Sequence, residues 1–295
     1  MLSMELVDPQ GRELPPFAPG AHVDVTFSAG LVRQYSLCGD PADRTRYRIA
    51  VRSVDGGQAS RIVHQALRPG DLLDVSAPRN NFALVKAENF LFIAGGIGIT
   101  PLLPMIQAAS RSGSSWRLLY CVRQSDAAAF LLELEALHGE ISLHVTDAGT
   151  RLDVAAALAA PQANTALYCC GPESLMLAVE AATPQWPAGS LHFEWFTPRT
   201  RSDLADPGSF ELVCAQSGLT LAVPHDRSVL SVLNDAGLGL SYSCEQGICG
   251  TCECRVLEGE VDHRDSILSA AEQAAHDIMM VCVSRARGAR LVLDI

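Results

Sequence analysis

The spacing of apolar positions changes twice along the chain, and each change predicts a different kind of fold. Residues 1–88 contain short apolar segments with intervening polar positions, bounded by Gly, Pro and Asp. This spacing predicts the antiparallel strands of a small β-barrel or sandwich. The predicted strands are HVDVTF, RQYSL, YRIAVRSV and LLDVSAP.

Residues 89–196 alternate apolar, strand-like segments with helical ones. Such alternation predicts a mostly parallel sheet covered by helices on both faces. The predicted strands are NFLFIA, WRLLYCV, ISLHVTD, TALYCCG and SLHFEWF, and the predicted helices are LLPMIQAASR, AFLLELEALHG and ESLMLAVEAA.

Residues 197–208, TPRTRSDLADPG, are polar and contain two Pro and one Gly, which predicts a linker. Residues 209–295 follow with a hairpin-like segment, FELVCAQSGLTLAVP, a helix, SVLSVLNDAGL, a cysteine-rich loop, and strands at CECRVLEGE and at the C-terminus. The chain therefore divides into three predicted domains, 1–88, 89–196 and 209–295, with the linker before the last.

The formal charge of −11 comes entirely from residues 89–295. Residues 1–88 hold 10 acidic and 10 basic residues, residues 89–208 hold 11 and 6, and residues 209–295 hold 12 and 6. Nucleic-acid binding needs a basic face, so the balance argues against that class. The acidic third domain suits either docking to a basic partner or simple solubility.

Nothing in the sequence predicts export or a membrane span. The N-terminal segment MLSMELVDPQGRELPPF lacks the basic start and apolar run of a signal peptide. The uncharged stretch Asn89–Ser110 is interrupted by Gly and Pro, which predicts a buried strand, a turn and a helix. We therefore expect a cytoplasmic protein whose ten cysteines are reduced.

Four of the ten cysteines have a diagnostic spacing. Cys244, Cys249 and Cys252 lie in CEQGICGTC, and Cys282 follows in VCVSRA. The pattern C-x4-C-x2-C with one distant Cys is the spacing of plant-type [2Fe–2S] proteins. The alternatives are a structural zinc site, which usually shows paired C-x2–4-C spacing, and four unrelated buried thiols. The remaining cysteines are interpreted as packed thiols, with one exception described next: Cys38, Cys121, Cys169, Cys214 and Cys254.

A glycine-rich turn, GGIGITP, separates a predicted strand from a predicted helix. Such a turn lets a pyrophosphate approach the backbone at a helix N-terminus, with Thr100 as the N-cap and Pro101 in the first turn. An ordinary tight turn is the alternative. YCCGP lies at the end of a later strand, where ligands of open parallel sheets bind, so Cys170 could touch a nicotinamide ring or simply be buried.

RQYSL in the first domain contains residue types that can bind a planar cofactor with a phosphate group. Arg33 can hold a phosphate, the Tyr35 ring can flank a planar cofactor, and the Ser36 hydroxyl can reach a ring nitrogen. Taken alone, the segment is also ordinary strand composition.

In chain order, RQYSL, GGIGITP, YCCGP and the four-cysteine pattern resemble the phthalate dioxygenase reductase and vanillate demethylase reductase family. The resemblance covers nearly the whole chain. It extends to PRN at Pro78–Asn80, HFE-x-F at His192–Phe196 and DHRD at Asp262–Asp265. It implies an FMN-binding antiparallel β-barrel in residues 1–88, an NAD-binding α/β domain in 89–196, and an α+β, β-grasp [2Fe–2S] ferredoxin domain in 209–295.

The resemblance also implies roles for the residues at matching positions, with Ser36 and Cys170 as the candidate catalytic residues. For FMN it implies Arg33, Tyr35, Ser36, Ala50, Val51, Arg52, Thr100 and Phe196, and for the FMN phosphate the loop Gly57, Gln58, Ala59 and Ser60, with Ser60 opening a helix. For NADH it implies Gly95, Gly96, Gly98, Cys170, Gly171 and Pro172, with Arg123 on the adenosine side. For the cluster it implies Cys244, Cys249, Cys252 and Cys282.

The implied function is that of a monomeric, NADH-dependent reductase component of a Rieske-type oxygenase or demethylase. Electrons would pass from NADH to FMN, to the [2Fe–2S] cluster, and then to the oxygenase. A reductase for another acceptor, such as a ferredoxin or a di-iron oxygenase, is the alternative enzyme. A non-enzymatic redox sensor or zinc-binding module is the alternative outside enzymes.

The N-terminus departs from the family pattern. The family has one further strand before the segment at SMELVDPQG. A barrel without that strand would expose an unpaired edge. We therefore expect either a misassigned start or an incomplete barrel that binds flavin weakly.

Overall fold

The computed structural model describes residues 1–27, 30–161, 163–200 and 208–295, so residues 201–207 of the predicted linker lie outside the described residues. The described chain forms two compact units, Met1–Glu194 and Trp195–Ile295. Each unit is described by itself.

The first part of unit one is antiparallel, as predicted. Its strands are β1 (Leu2–Leu6), β2 (His22–Thr26), β3 (Val32–Ser36), β4 (Tyr47–Val51) and β5 (Asp74–Val75). β1 pairs with β4, and β2 pairs with both β3 and β5. β5 is shorter than LLDVSAP because the Ser76 side chain, rather than its carbonyl, accepts from the Asp24 N–H at 2.9 Å and ends the backbone ladder.

A short helix, α1 (Gln58–Arg61), follows β4 and continues into a π-helical turn over Ile62–Ala66. The expectation that Ser60 opens this helix is wrong, because the N-cap is Gly57. Ser60 instead lies inside the first turn, where its hydroxyl donates to the carbonyl of Gly57 at 3.1 Å.

The second part of unit one is a five-stranded parallel sheet, as predicted. Its strands are β6 (Asn89–Gly95), β7 (Ser115–Val122), β8 (Glu140–Val145), β9 (Thr165–Cys170) and β10 (Leu191–Glu194), and its helices are α2 (Ile99–Ser112), α3 (Leu131–Glu135), α4 (Val154–Leu158) and α5 (Glu173–Ala182). The strand order is β10-β9-β6-β7-β8, and each pairing is parallel. Parallel strands need long crossover connections, and here the helices lie within those connections.

Two helices of this sheet illustrate how local backbone geometry sets helix length. α2 ends at Gly113, whose φ of 75° provides the left-handed C-cap that glycine favours. α3 is shorter than the predicted AFLLELEALHG because Phe130 and His138 both have left-handed backbone, with φ of 59° and 56°. A helix cannot continue through either residue.

Unit two contains a mixed sheet and two short helices. Its elements are β11 (Phe210–Cys214), β12 (Leu219–Val223), α6 (Val229–Asp235), β13 (Glu253–Glu258), β14 (Val261–Asp262), α7 (Ala270–Ala275), β15 (Ile278–Met280), β16 (Arg285–Ala286) and β17 (Arg290–Leu293). Five of these strands form one sheet in the order β12-β11-β17-β13-β15. β11 and β17 pair in parallel. Ser228 caps α6, and Ser269 forms a capping box with Glu272 at α7. This is the expected β-grasp ferredoxin fold.

Asn89–Ser110 forms β6, a 3-10 turn and most of α2, which confirms the strand–turn–helix prediction. Throughout the described ranges, no helix is long and apolar enough to cross a membrane.

Candidate functional site

The glycine-rich turn packs directly on the Cys170–Pro172 segment. β6 ends at Gly95, a 3-10 turn covers Gly96–Gly98, and α2 begins at Ile99. A Cβ on Gly95 would lie 2.4 Å from Cδ of Pro172, and one on Gly98 would lie 2.0 Å from the carbonyl oxygen of Cys170. Gly95 and Gly98 thus bring the two predicted nucleotide motifs together at the carboxyl edge of the sheet. The sequence did not indicate that Gly95 and Gly98 must be glycine for this packing.

The start of α2 differs from the predicted cap. Gly98 is the N-cap, and no side chain caps the helix. Thr100 is already helical and 2% exposed, with its hydroxyl donating to the carbonyl of Ile97 at 2.9 Å. The Thr100 N-cap is therefore wrong, because the 3-10 turn starts the helix earlier, whereas Pro101 does lie in the first turn. A helix N-terminus without a side-chain cap is suited to an anion.

Cys170 lies at the end of β9, and its side chain is completely buried. Burial, and secondarily the nearby carboxylate of Glu194, raises the pKa of its thiol well above the usual value. Contact with a bound nicotinamide would require neighbouring side chains to move, so that contact stays a prediction.

Glu194 is a candidate that the sequence interpretation missed. It ends β10, and its Cα is paired with that of Cys170. Its Oε2 atom is shielded from solvent and, among the described residues, accepts no hydrogen bond. Burial raises the pKa of this carboxyl group to about 8. The available signal was an acidic residue at the carboxyl end of a strand of the parallel sheet.

We expect Glu194 to make stability depend on pH. Because folding raises the pKa of Glu194 from its ordinary 4.5 to about 8, the folded chain binds the proton more tightly than the unfolded chain. The stability that the protonated form contributes is present below pH 4.5 and is lost as the pH rises from 4.5 to about 8. Between pH 5 and pH 8, the thermal midpoint of the wild type should fall more steeply than that of Glu194→Gln.

The matched control for this experiment is Glu135→Gln, which neutralises an exposed carboxylate on α3. Its profile should run parallel to that of the wild type. A Glu194→Gln profile that also runs parallel to the wild type would contradict the expectation.

The flavin candidates lie on β3, on β4 and in the loop that follows. Arg33 is exposed, Tyr35 is half-buried against the Phe27 ring at 6.2 Å between ring centroids, and Ser36 is buried. Burial raises the pKa of Tyr35 to about 12, so its hydroxyl stays protonated. Strand alternation places Arg33 and Tyr35 on one face of β3 and Ser36 on the other.

β4 lies beside β3 and contributes the next group of candidates. Ala50 and Val51 are buried in this strand, and Arg52 follows it fully in solvent. Among the described residues Arg33 and Arg52 make no ion pair, and neither do Arg61 and Arg68, whereas the arginines of the same region at 12, 44, 46, 48 and 79 do. Arg33 on β3 and Arg52 just after β4 are therefore available to an anionic cofactor.

The remaining candidates lie on other elements. Ala59 and Ser60 are buried within α1, beside Gly57. Arg123 is exposed after β7, with its Nε 3.6 Å from Oδ1 of Asp147. Phe196 is exposed and belongs to the second unit.

The four cysteines of unit two form two thiol pairs. Cys244 and Cys249 are close neighbours whose thiol groups interact, and so are Cys252 and Cys282. Cys249, Cys252 and Cys282 are buried, and Cys244 is partly exposed. Gly247 and Gly250 have φ of 68° and 73°, so the loop turns where only glycine is unstrained.

The interaction between the two thiols sets the acidity within each pair. The interaction with Cys244 lowers the pKa of Cys249 to about 4, and the interaction with Cys282 lowers the pKa of Cys252. Cys244 and Cys282 have raised pKa values for the same reason. One thiol in each pair therefore ionises readily, and thiolate is the form that binds metal.

The chemistry of this donor set fits a two-iron cluster. Two pairs of thiols suit two metal ions, each held by two sulfurs. Backbone amides also point at sulfur, because the N–H of Gln246 donates to Cys244 Sγ at 3.3 Å and that of Gly247 donates to Cys282.

Three family models match the chain in succession. They describe an oxidoreductase FAD-binding domain over residues 8–84, an oxidoreductase NAD-binding domain over 92–181 and a 2Fe-2S iron-sulfur cluster binding domain over 212–287. The phthalate 4,5-dioxygenase oxygenase reductase subunit of Pseudomonas putida is 43% identical, over 99% of this chain and 91% of the relative. The vanillate O-demethylase oxidoreductase of Pseudomonas sp. (strain HR199 / DSM 7063) is 42% identical, over 100% and 95%.

The chain belongs to the phthalate dioxygenase reductase and vanillate O-demethylase oxidoreductase family. As a member of this reductase family, it is an oxidoreductase with flavin-, NAD- and [2Fe–2S]-binding domains. Several of its relatives are named as reductase subunits of oxygenase systems, among them the carnitine monooxygenase reductase subunit of Escherichia coli (strain K12), at 42% identity over 98% of this chain and 92% of the relative.

Solved structures give the same result. Phthalate dioxygenase reductase is 40% identical, with a TM-score of 0.68, over 99% of this chain and 92% of that one. An intact type IV self-sufficient cytochrome P450 monooxygenase is 41% identical, with a TM-score of 0.91, over 99% of this chain. This reductase-family chain spans only 39% of the length of that monooxygenase.

Proposed function

We propose that this chain is an NADH-dependent reductase component that supplies electrons to a Rieske-type oxygenase or demethylase. The proposal rests on two features of one chain. The glycine-rich turn packs on the Cys170–Pro172 segment, and four cysteines form two thiol pairs, Cys244 with Cys249 and Cys252 with Cys282. Full-length similarity to reductase subunits of oxygenase systems supports it. All the cofactor sites lie on one chain, which favours a monomer, and ten free cysteines favour the reducing cytoplasm.

FMN is the proposed flavin. Arg33 and Arg52 would neutralise its phosphate charge, Tyr35 would flank its ring, and Ser36 would lie near the ring nitrogen. Further contacts would come from Ala50, Val51, Thr100, Phe196 and the loop Gly57–Ser60. The unpaired state of the two arginines supports this assignment.

NADH would bind at the carboxyl edge of the parallel sheet. Gly95, Gly96 and Gly98 would face the pyrophosphate at the uncapped start of α2, with Cys170, Gly171 and Pro172 on the nicotinamide side and Arg123 on the adenosine side. Here the chain's role would be to orient the nicotinamide and exclude water; the burial of Cys170 and the shielding of the Glu194 Oε2 atom at this edge support that role.

The cluster would be held by Cys244 and Cys249 at one iron and by Cys252 and Cys282 at the other. When bound, the flavin accepts hydride as an electron pair and the cluster releases electrons one at a time. The protein's contribution is geometry, because the Gln246 and Gly247 amides direct N–H groups toward sulfur and offset its negative charge.

The deciding experiment is an anaerobic titration of the purified chain with NADH. The protein should be yellow-brown, contain about two irons per chain, and lose flavin absorbance on addition of NADH. Mass spectrometry of the released flavin should find FMN. A colourless, zinc-containing protein, or a flavin that NADH does not bleach, would contradict the proposal.

The acidic third domain predicts an effect of salt on the partner reaction. Residues 209–295 hold 12 acidic and 6 basic residues, so opposite charge would steer a basic oxygenase surface toward it. The rate at which the reduced protein reduces its oxygenase should fall as ionic strength rises. A rate that is flat or rises with salt counts against such steering.

A haem monooxygenase is the second candidate acceptor, because a self-sufficient cytochrome P450 contains a region similar to this whole chain. Co-purification separates the candidates. Recovery of a Rieske-type oxygenase supports the proposal, and recovery of a haem protein supports the alternative.

Arg33→Gln should weaken flavin binding. Hydrogen bonds to charged groups contribute about 1.5–3 kcal/mol, so the flavin dissociation constant should rise roughly tenfold or more. The control is Arg68→Gln in the same region, because both exposed arginines donate from Nη1 to the preceding carbonyl, at 2.7 Å and 2.9 Å. Equal flavin retention by the two variants would show that Arg33 does not contact the flavin.

A further inference from the structure

Asp265 is a buried carboxylate that the proposed electron transfer does not use. It lies between β14 and α7, in the DHRD segment, and is 2% exposed. Burying a charge is costly unless hydrogen bonds compensate for it. The question is therefore what this carboxylate holds in place.

Its two oxygens have separate sets of partners. Oδ2 accepts from the backbone N–H of Leu268 at 2.8 Å and of Ile267 at 3.2 Å. Oδ1 accepts from the hydroxyl of Ser284 at 3.4 Å and lies 3.6 Å from Nδ1 of His263. Burial alone would raise the pKa of Asp265, but the nearby His263 ring and the hydrogen bonds from the two amides outweigh burial and lower the pKa, so the group is ionised at neutral pH.

The same residue touches the loop that carries three of the cysteines. Gly247 lies at the tip of that loop, and a Cβ on it would be 3.0 Å from Cα of Asp265 and 2.6 Å from Cγ2 of Val283. The next residue, Ser266, donates its N–H to the carbonyl of Gly247 at 2.9 Å. The loop is therefore packed against the Asp265 turn.

Asp265 is also linked to the segment that carries the fourth cysteine. Ser284 is completely buried, lies two residues after Cys282, and accepts from the N–H of Arg264 at 3.1 Å. The N–H of Gly247 donates to the sulfur of Cys282. One buried turn thus contacts both halves of the four-thiol site.

We propose that Asp265 is a positioning residue for the iron–sulfur site. Through Ser284 and the Ser266–Gly247 bond, it sets the spacing between the loop of Cys244, Cys249 and Cys252 and the segment of Cys282. The inference rests on the proposed function, because it assumes that these thiols hold the cluster. Groups outside the ligands that orient them typically change metal affinity by 10–100-fold when removed.

The test uses the full chain with its cluster and compares Asp265→Asn and Ser284→Ala with Asp262→Asn. Asp262 belongs to the same motif, but its carboxylate is partly exposed and pairs with Arg264, so it is the matched control. For each variant the readouts are the half-life of the cluster against a chelator and the g-values of the reduced cluster by electron paramagnetic resonance.

We expect Asp265→Asn and Ser284→Ala to lose iron roughly tenfold faster than the wild type, with shifted g-values. Asp262→Asn should match the wild type in both readouts. If Asp265→Asn does not fold, Ser284→Ala decides the question, since it keeps the buried charge and removes the hydroxyl that joins Asp265 and the Arg264 N–H to the Cys282 segment.

Three results would overturn the proposal: wild-type half-lives and g-values in both variants, faster iron loss with unchanged g-values, or equal lability of Asp262→Asn. Failure of the proposed function is distinguishable, because the wild type itself would then contain no two-iron cluster before any variant is made.

Discussion

Cys252→Ala should remove the cluster from unit two and leave the flavin reducible by NADH. Cys252 is 3% exposed, and its pKa is lowered by the interaction with Cys282, so it is one of the two thiols that ionise readily. Without it, one iron would keep a single protein sulfur. We expect the iron content to fall from about two per chain to near zero, with electron delivery to the oxygenase lost as well.

The measurements are iron analysis, electron paramagnetic resonance of the reduced protein, and the rate at which NADH bleaches the flavin. The last should stay close to that of the wild type, because the candidate nucleotide residues from Gly95 to Pro172 and the β3 and β4 flavin candidates belong to unit one.

Cys254→Ala is the matched control, because Cys254 is also buried and lies two residues further along. Burial raises the pKa of Cys254 to about 11, so it stays a neutral thiol. The variant should retain its iron and lose about 1 kcal/mol of stability. Retention of iron by Cys252→Ala, or equal iron loss from both variants, would refute the ligand assignment.

Gly98→Ala should weaken NADH binding and destabilise unit one. The added Cβ would lie 2.0 Å from the carbonyl oxygen and 2.4 Å from the carbonyl carbon of Cys170, and 2.9 Å from the nitrogen of Gly171. All three are backbone atoms, so the glycine-rich turn and the end of β9 must separate. Overpacking of this kind costs about 1–3 kcal/mol or more, and we expect the KM for NADH to rise on the order of tenfold.

Gly113→Ala is the control, because it introduces backbone strain without a steric clash. Gly113 has φ of 75°, but nothing lies within 4 Å of its Cβ position, and it terminates α2 at the end away from the turn. The variant should lose about 1–2 kcal/mol and keep the wild-type KM. An unchanged KM and thermal midpoint in Gly98→Ala would show that the contact between Gly98 and the Cys170–Gly171 backbone is not needed for NADH binding or stability.

Local signals predicted much of the fold. The helix ESLMLAVEAA is observed at the same residues, Glu173–Ala182, because its apolar periodicity is encoded within one segment and Pro172 precedes it. The strands of the parallel sheet were found for the same reason, since a buried strand is a continuous apolar run. The spacing of the four cysteines identified the iron–sulfur domain because three of them lie in one short loop.

Errors occurred where distant segments set the local geometry. α2 starts before Thr100 because the 3-10 turn at Gly96–Gly98 is packed on the end of β9. Ser60 does not cap α1, since its hydroxyl is used by Gly57 and Val54. β5 is short because the Ser76 side chain replaces a carbonyl in the ladder.

Sequence alone therefore determined the order of the elements, the family and the residue types available for flavin, nucleotide and cluster, since these depend on near neighbours in the chain. Tertiary structure decided which thiols pair, why Gly98 must lack a side chain, that the Glu194 Oε2 atom is shielded from solvent, and that Asp265 is buried. Each of these depends on contacts between segments far apart in sequence. Burial and the partners it brings set the pKa of a carboxyl or thiol group, and neither is encoded in the local pattern.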